Sequence, residues 1–182
     1  VQSVPMRIIG GKYKGKGIYA PKNLPVRPTT DFAKEGLFNI LRHTIEIEGA
    51  AVLDLFCGTG NMTYEFASRG AVSVLSIDRN FNCIRFVRKS AGELKCDIIK
   101  PLKFDVFKFL DKCEIKFDII FADPPYELNE IPHIAKKVMS RNLLSENGLC
   151  IVEHSKKTDL SEDVGFQKLK NYGNVNFSFF SE

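Results

Sequence analysis

From position 51 onward, short continuous apolar runs alternate with segments whose apolar residues recur every three to four positions. The runs occupy 51–56, 72–77, 117–122 and 149–153 and read as strands. The helix-period segments occupy 62–69, 81–94, 106–110 and 131–142. The strands are too uniformly apolar to keep one face in water, so both faces of their sheet need a cover. Alternation of this kind builds a parallel sheet with helices on each side. The period changes at the end of the chain. Segments 166–172 and 175–180 flank Gly173-Asn174, which predicts a terminal antiparallel hairpin.

The first thirty residues follow another pattern. Arg7-Ile8-Ile9 and Gly17-Ile18-Tyr19-Ala20 flank a Gly- and Lys-rich turn at 10–16, which reads as a small β-hairpin or extended arm. Met6-Arg7-Ile8-Ile9 looks like a natural start, with five additional residues ahead of it. Thr29 and Thr30 stand where a helix cap belongs, before a helix beginning near Asp31. Ala33, Leu37, Ile40 and Leu41 mark one face of that helix, which ends near Thr44. The expected organisation is a basic arm over 1–30 and an α/β body over 31–182.

A chain of 182 residues has the size of one compact domain. No apolar run reaches the roughly 18–20 residues that span a bilayer, and no stretch reads as a signal peptide. The five cysteines, Cys57, Cys83, Cys96, Cys113 and Cys150, form no C-x-x-C pair. Inert thiols in a reducing cytoplasm and no metal site are the expectation. The net charge of +4 is unevenly spread: residues 1–44 hold eight Lys or Arg against two acidic residues. A basic arm on a near-neutral body suits a polyanion partner, although a solvated basic face would look the same.

The sharpest motif is Asp54-Leu55-Phe56-Cys57-Gly58-Thr59-Gly60, which ends one apolar run and opens a helical segment. Gly58 and Gly60 permit a sharp turn and a close backbone approach to a ligand. In open α/β sheets the ligand crevice lies at this end of the strands. Asp78 ends the next strand, 24 positions after Asp54, where a carboxylate accepts hydrogen bonds from adenosine ribose hydroxyls. A tight turn with an ordinary strand-end aspartate would share any one of these features, but not their combination. A dinucleotide loop would place a third glycine where Thr63 stands. Asp54 would also repel a pyrophosphate, whereas it attracts the ammonium of S-adenosylmethionine. S-adenosyl-L-methionine is therefore the expected cofactor.

The second motif, Asp123-Pro124-Pro125-Tyr126, follows the run at 117–122. Two prolines end the strand and stiffen the loop. An aromatic amine is a weak nucleophile because its lone pair is delocalised into the ring. Asp123 and the Pro124 carbonyl can accept hydrogen bonds from that amine, draw it toward tetrahedral geometry and stabilise the charge that develops on methylation. Tyr126 offers a face for an extruded base. This chemistry needs no cysteine nucleophile, so Cys57 is expected to pack beside its loop. The motif alone does not separate guanine from adenine, and an adenine-N6 methyltransferase acting on RNA or DNA is the alternative.

Taken with Met6-Arg7-Ile8-Ile9-Gly10-Gly11, Arg27-Pro28-Thr29-Thr30-Asp31 and Lys34-Glu35-Gly36-Leu37-Phe38-Asn39, these motifs resemble the bacterial 16S rRNA (guanine(966)-N(2))-methyltransferases. The resemblance implies a Rossmann-like class I methyltransferase fold: a seven-stranded, mostly parallel sheet with a reversed last strand. It implies methyl transfer to guanine N2 of 16S rRNA within a small-subunit assembly intermediate, by a cytoplasmic monomer. It carries cofactor contacts onto Asp54, Phe56, Gly58, Gly60 and Asp78, and adenine contacts onto Asp105 and Val106. Asp123, Pro124, Pro125 and Tyr126 would hold the base. Arg7, Lys12, Lys14, Lys16, Arg27, Thr29 and Thr30 would meet the RNA, with helix capping an equally open role for the two threonines. His43, His133 and His154 fit no base or ligand constellation.

Overall fold

The computed structural model describes residues 3–25 and 29–182; the expectation for Arg27 lies outside them. A two-stranded sheet pairs β1 (Ser3–Arg7) with β2 (Gly17–Pro21), antiparallel. Helix α1 (Asp31–Leu41) follows. The α/β body then runs β3 (Ala51–Leu55), α2 (Asn61–Ser68), β4 (Ser73–Asp78), α3 (Phe81–Glu93), β5 (Ile99–Lys103), α4 (Val106–Lys112), β6 (Phe117–Ala122), α5 (Ile131–Ser140), β7 (Leu144–His154), β8 (Phe166–Tyr172) and β9 (Val175–Phe180). Strand order in the main sheet is β5-β4-β3-β6-β7-β9-β8. β3 to β7 are parallel, and β9 runs antiparallel between β7 and β8. This is the parallel sheet with a terminal hairpin that the pattern predicts, with the seven strands that the resemblance implies.

Each apolar run serves two cores at once, because successive strand residues point to opposite faces. Val52, Phe121, Ile151 and Phe177 pack with Leu37, Phe38 and Phe66 on the face covered by α1, α2 and α3. Leu53, Leu55, Ile120, Val152 and Phe180 pack with Leu110, Ile134 and Val138 on the face covered by α4 and α5. Full burial of such a side chain is worth roughly 1.5–3 kcal/mol, and both sets are essentially solvent-free.

Three elements differ from the sequence reading, β7 among them by starting at Leu144, five residues ahead of the apolar run at 149–153. The edge strand β5, Ile-Lys-Pro-Leu-Lys, escapes an apolar search because most of it faces water, and its proline is tolerated only because β5 is an edge. β1 begins at Ser3, ahead of Met6, and stops before Ile8-Ile9, because the pairing runs from Ser3 opposite Pro21 to Arg7 opposite Gly17.

The hairpin lies on the body rather than beside it. Met6, Ile8, Tyr13, Ile18 and Ala20 join the core that includes α1 and α2. Lys12 N–H donates to the Ser68 carbonyl (2.7 Å), and the Ser68 hydroxyl donates to the Gly10 carbonyl (2.5 Å). Gly11, at φ +74°, permits this approach: a Cβ there would stand 1.9 Å from the Ser68 carbonyl oxygen. Among the described residues no helix is long and apolar enough to cross a membrane.

Candidate active site

Parallel pairing brings the carboxyl ends of β5, β4, β3, β6 and β7 to one edge of the sheet, where open α/β folds bind ligands. The loop after β3 places three residues in the left-handed region of backbone, Phe56 (φ 57°), Gly58 (φ 53°) and Gly60 (φ 87°). Glycine adopts this region freely. Phe56 does so at a cost of about 1–3 kcal/mol, a kind of strain that concentrates at functional sites. Its ring meets Phe107 edge-on with centroids 6.2 Å apart. Asp78, ending β4, fixes the loop: one carboxylate oxygen accepts from Gly58 N–H (2.9 Å) and the other from Asn80 N–H (2.8 Å). Cys57 is buried in the loop, and burial, aided by the Asp54 and Asp78 charges, pushes its thiol well above the ordinary range. It is a packed, protonated side chain.

Asp54 lies beneath the loop and is almost wholly buried. The Thr63 hydroxyl stands 2.5 Å from its carboxylate and 2.7 Å from the Ser76 hydroxyl, which joins β3, α2 and β4. Burial raises the Asp54 carboxyl to about 7, against the pull of the Thr63 hydrogen bond and with some help from Asp78.

The Asp123-Pro124-Pro125-Tyr126 loop leaves β6 beside it. Asp123 N–H donates to the Leu55 carbonyl across 3.2 Å. Burial pushes the Asp123 carboxyl well up, with the Glu153 and Asp54 carboxylates acting in the same direction. The Tyr126 phenol donates to Glu153 Oε1 on β7 (2.9 Å), and the Thr29 hydroxyl donates to Glu153 Oε2 (2.9 Å). Burial raises the Glu153 carboxyl, while its bonds from Thr29 and Tyr126 oppose the rise.

A buried polar chain continues from Thr29. Its carbonyl accepts from Asn61 Nδ2 (3.0 Å), the first residue of α2. Asn61 Oδ1 accepts from Lys34 Nζ (3.0 Å), and Lys34 pairs with Glu65 (2.8 Å) while donating to the Arg7 carbonyl (2.7 Å). Glu65 also accepts from Ile9 N–H (2.7 Å) and from Arg69 (3.3 Å). Burying the Lys34–Glu65 pair is justified only by this full set of partners. Hairpin, α1, glycine loop and the carboxyl edge of the sheet thus share one hydrogen-bonded network.

The predicted residues divide clearly. Asp54, Phe56, Gly58, Gly60, Asp78, Asp123, Pro124, Pro125, Tyr126 and Thr29 come together at the carboxyl edge. Thr30 caps α1, accepting from Ala33 N–H (3.2 Å), whereas the Thr29 hydroxyl is bound to Glu153 and caps no helix. Asp105 caps α4 through Lys108 N–H (3.0 Å), and Val106 is buried in the core under α4 and α5. Arg7 is exposed and paired with Asp31 (3.0 Å). Lys12, Lys14 and Lys16 surround buried Tyr13, which donates its N–H to the Ser68 hydroxyl (2.9 Å) at the far end of α2. Eight helical residues, about 12 Å, separate that end from the glycine loop. His154 is buried, with its ring nitrogens 2.9 Å from the Ser155 carbonyl and 2.8 Å from the Ser178 hydroxyl. Glu153, Asn61, Lys34 and Glu65 were not legible in the sequence. A lone Glu in an apolar strand, and a Lys on an apolar helix face that also opens one of the resemblance motifs, are the signals they leave.

A family model described as Conserved hypothetical protein 95 matches residues 6–181. The Bacillus subtilis protein YlbH is 32% identical over 164 residues, 88% of each chain. The Escherichia coli protein named Ribosomal RNA small subunit methyltransferase D is 29% identical over 148 residues, covering 81% of this chain and 74% of that one. The solved structure of the Escherichia coli protein YhhF superposes with a TM-score of 0.83 at 26% identity, over 97% of both chains. With this match and the paired loops at the carboxyl edge, the chain belongs to the Conserved hypothetical protein 95 family, rRNA methyltransferases with the fold of the class I S-adenosylmethionine-dependent enzymes.

Proposed function

We propose that this protein transfers a methyl group from S-adenosylmethionine to the exocyclic N2 amine of a guanine in 16S rRNA, presented in a small-subunit assembly intermediate. The observation that carries the reading is the direct tie between the two loops: Asp123 N–H bonds the Leu55 carbonyl, immediately ahead of the glycine loop. A group held by one loop therefore lies beside a group held by the other. Similarity to a small-subunit rRNA methyltransferase supports the substrate class, and the guanine follows from the motif resemblance.

The residues present fit the cofactor. α2 opens at Gly60 in the left-handed region, with no side chain capping its first turn, so its N–H groups can receive the cofactor's carboxylate. Asp54 lies beneath the same loop for the ammonium, and Asp78 at the tip of β4 for the ribose. The resemblance would put the adenine beside Phe56, near the start of α4, where Asp105 caps the helix and Val106 turns into the core. When bound, the cofactor supplies an electrophilic sulfonium methyl.

The remaining chemistry belongs to the chain. Tyr126 stacks on the extruded base and Thr29 lies on the opposite side of Glu153. Asp123 and the Pro124 carbonyl accept the amine hydrogens and orient its lone pair. A carboxylate whose affinity for protons is raised by burial and by two neighbouring carboxylates is a strong acceptor for the proton the amine gives up. Lys12, Lys14, Lys16 and Arg7 supply positive charge along the hairpin for flanking phosphates.

The deciding experiment incubates the protein with labelled S-adenosylmethionine and small-subunit particles lacking the modification, then identifies the labelled nucleoside. N2-methylguanosine is expected. N6-methyladenosine would overturn the base assignment in favour of the adenine reading.

A further inference from the structure

Glu153 lies in no recognised motif, yet its carboxylate touches both sides of the proposed base site. Oε1 receives the Tyr126 phenol and Oε2 the Thr29 hydroxyl, each at 2.9 Å, from residues 27 and 124 positions away in the chain. It follows Ile151 and Val152 in an apolar strand and pairs across the sheet with Phe177. Only 3% of its surface is exposed. An apolar residue would fill that space more stably, because a buried carboxylate costs free energy unless hydrogen bonds compensate it. The two bonds it accepts do compensate it, and they join the loop after β6 to the segment entering α1.

The prolines fix the backbone beneath Tyr126 but do not themselves set its side-chain torsions. A ring that stacks on a base must hold one plane, and the phenol bond to an immobile acceptor provides this. Thr29, bound to the same carboxylate, is held at a set distance from that ring, while its carbonyl is held by Asn61 at the glycine loop. We infer that Glu153 is a positioning residue for methyl transfer: it sets the ring plane of Tyr126 and the spacing between Tyr126 and Thr29, so that the base amine meets Asp123 in reactive alignment. This inference rests on the base-methylation reading above.

The test measures single-turnover methyl transfer to small-subunit particles at saturating labelled cofactor, using Glu153→Gln, Tyr126→Phe and the double variant. Glu153→Gln keeps the shape but leaves one acceptor for two hydroxyls, and Tyr126→Phe keeps the stacking face. Each single change is expected to lower the rate by about 10-fold or more, the scale of a sub-ångström to ångström misplacement. Cofactor affinity should stay within about two-fold of the parent, and the double variant should be no slower than the slower single one, because both remove the same bond. A parental rate for either single variant, or losses that multiply in the double, would overturn the inference. Should Glu153→Gln fail to fold, the rate of Tyr126→Phe decides alone. The nucleoside formed is read in the same samples. A product other than N2-methylguanosine would overturn the base assignment, while the ratios between variants still report on Glu153.

Discussion

The backbone N–H of Asp123 reaches the carbonyl of Leu55 across 3.2 Å, one step beyond the last paired residues of β3 and β6, Leu55 and Ala122. The parallel ladder thus continues into the two functional loops, and any motion of one relative to the other breaks a sheet hydrogen bond. Such preorganisation suits a reaction whose only demand is alignment of two bound groups.

Asp123 should therefore matter to turnover and little to cofactor binding. Asp123→Ala is expected to lower the methylation rate by roughly 10²–10³-fold, the usual loss when a positioned acceptor or proton carrier is removed. Binding of S-adenosylhomocysteine, followed by calorimetry, should remain within a few-fold of the parent. Normal methylation by this variant would remove Asp123 from the mechanism.

Asp54 predicts a pH dependence. Its folded carboxyl value of about 7 lies above the ordinary aspartate value, so the folded chain binds a proton that the unfolded chain has released. The favourable contribution is complete below about pH 4 and disappears as pH rises toward about 7, by up to about 4 kcal/mol. Urea unfolding of the cofactor-free protein at pH 5 and pH 7 should show this decline, and Asp54→Asn should lessen it, the part left coming from the other raised carboxyls, Asp123 and Glu153. An ammonium arriving beside the carboxylate lowers its value again, so cofactor binding near pH 6 should release a proton. Calorimetry in two buffers of different ionisation enthalpy checks this: equal heats would place the ammonium elsewhere.

Gly60→Ala tests the glycine loop. The position has φ +87°, and a Cβ would stand 2.8 Å from the Tyr64 ring, whose hydroxyl holds the Thr59 carbonyl (2.8 Å). Strain of this kind costs about 1–3 kcal/mol, measurable by urea denaturation. Cofactor affinity should fall as well, because Tyr64 must move and take Thr59 with it.

Glu65→Gln should be among the more damaging core substitutions. It leaves Lys34, buried between α1 and α2, without its counter-charge, and loss of one partner from a buried pair costs about 3–5 kcal/mol. The unfolding midpoint should fall sharply. A change under about 1 kcal/mol would show that Asn61 and the Arg7 carbonyl satisfy Lys34 unaided.

The basic turn predicts a salt effect. Replacing Lys12, Lys14 and Lys16 by Gln should raise the KM for RNA-containing particles. The slope of log affinity against log salt should become shallower by about one for each phosphate that is no longer neutralised. An unchanged slope would remove the far end of α2 from the RNA path.

The alternation of apolar runs with helix-period segments was enough to announce a parallel sheet covered on both faces, because burial on both sides makes most strand positions apolar. The two loop motifs were legible for a related reason. Their glycines open left-handed backbone and their prolines fix it, both local effects, so their meaning survives without knowing what surrounds them. β5 was hidden because an edge strand needs few apolar residues. Glu153, Asn61, Lys34 and Glu65 were hidden because their importance lies in partners up to 124 positions away, and no local pattern records such a pairing. The sequence thus determined which loop motif stands at each strand tip, while only the tertiary structure decided that Thr30 caps a helix while Thr29 holds Glu153. It also decided that the basic turn lies a helix length from the glycine loop, since Gly11 lets the hairpin dock against the last turn of α2.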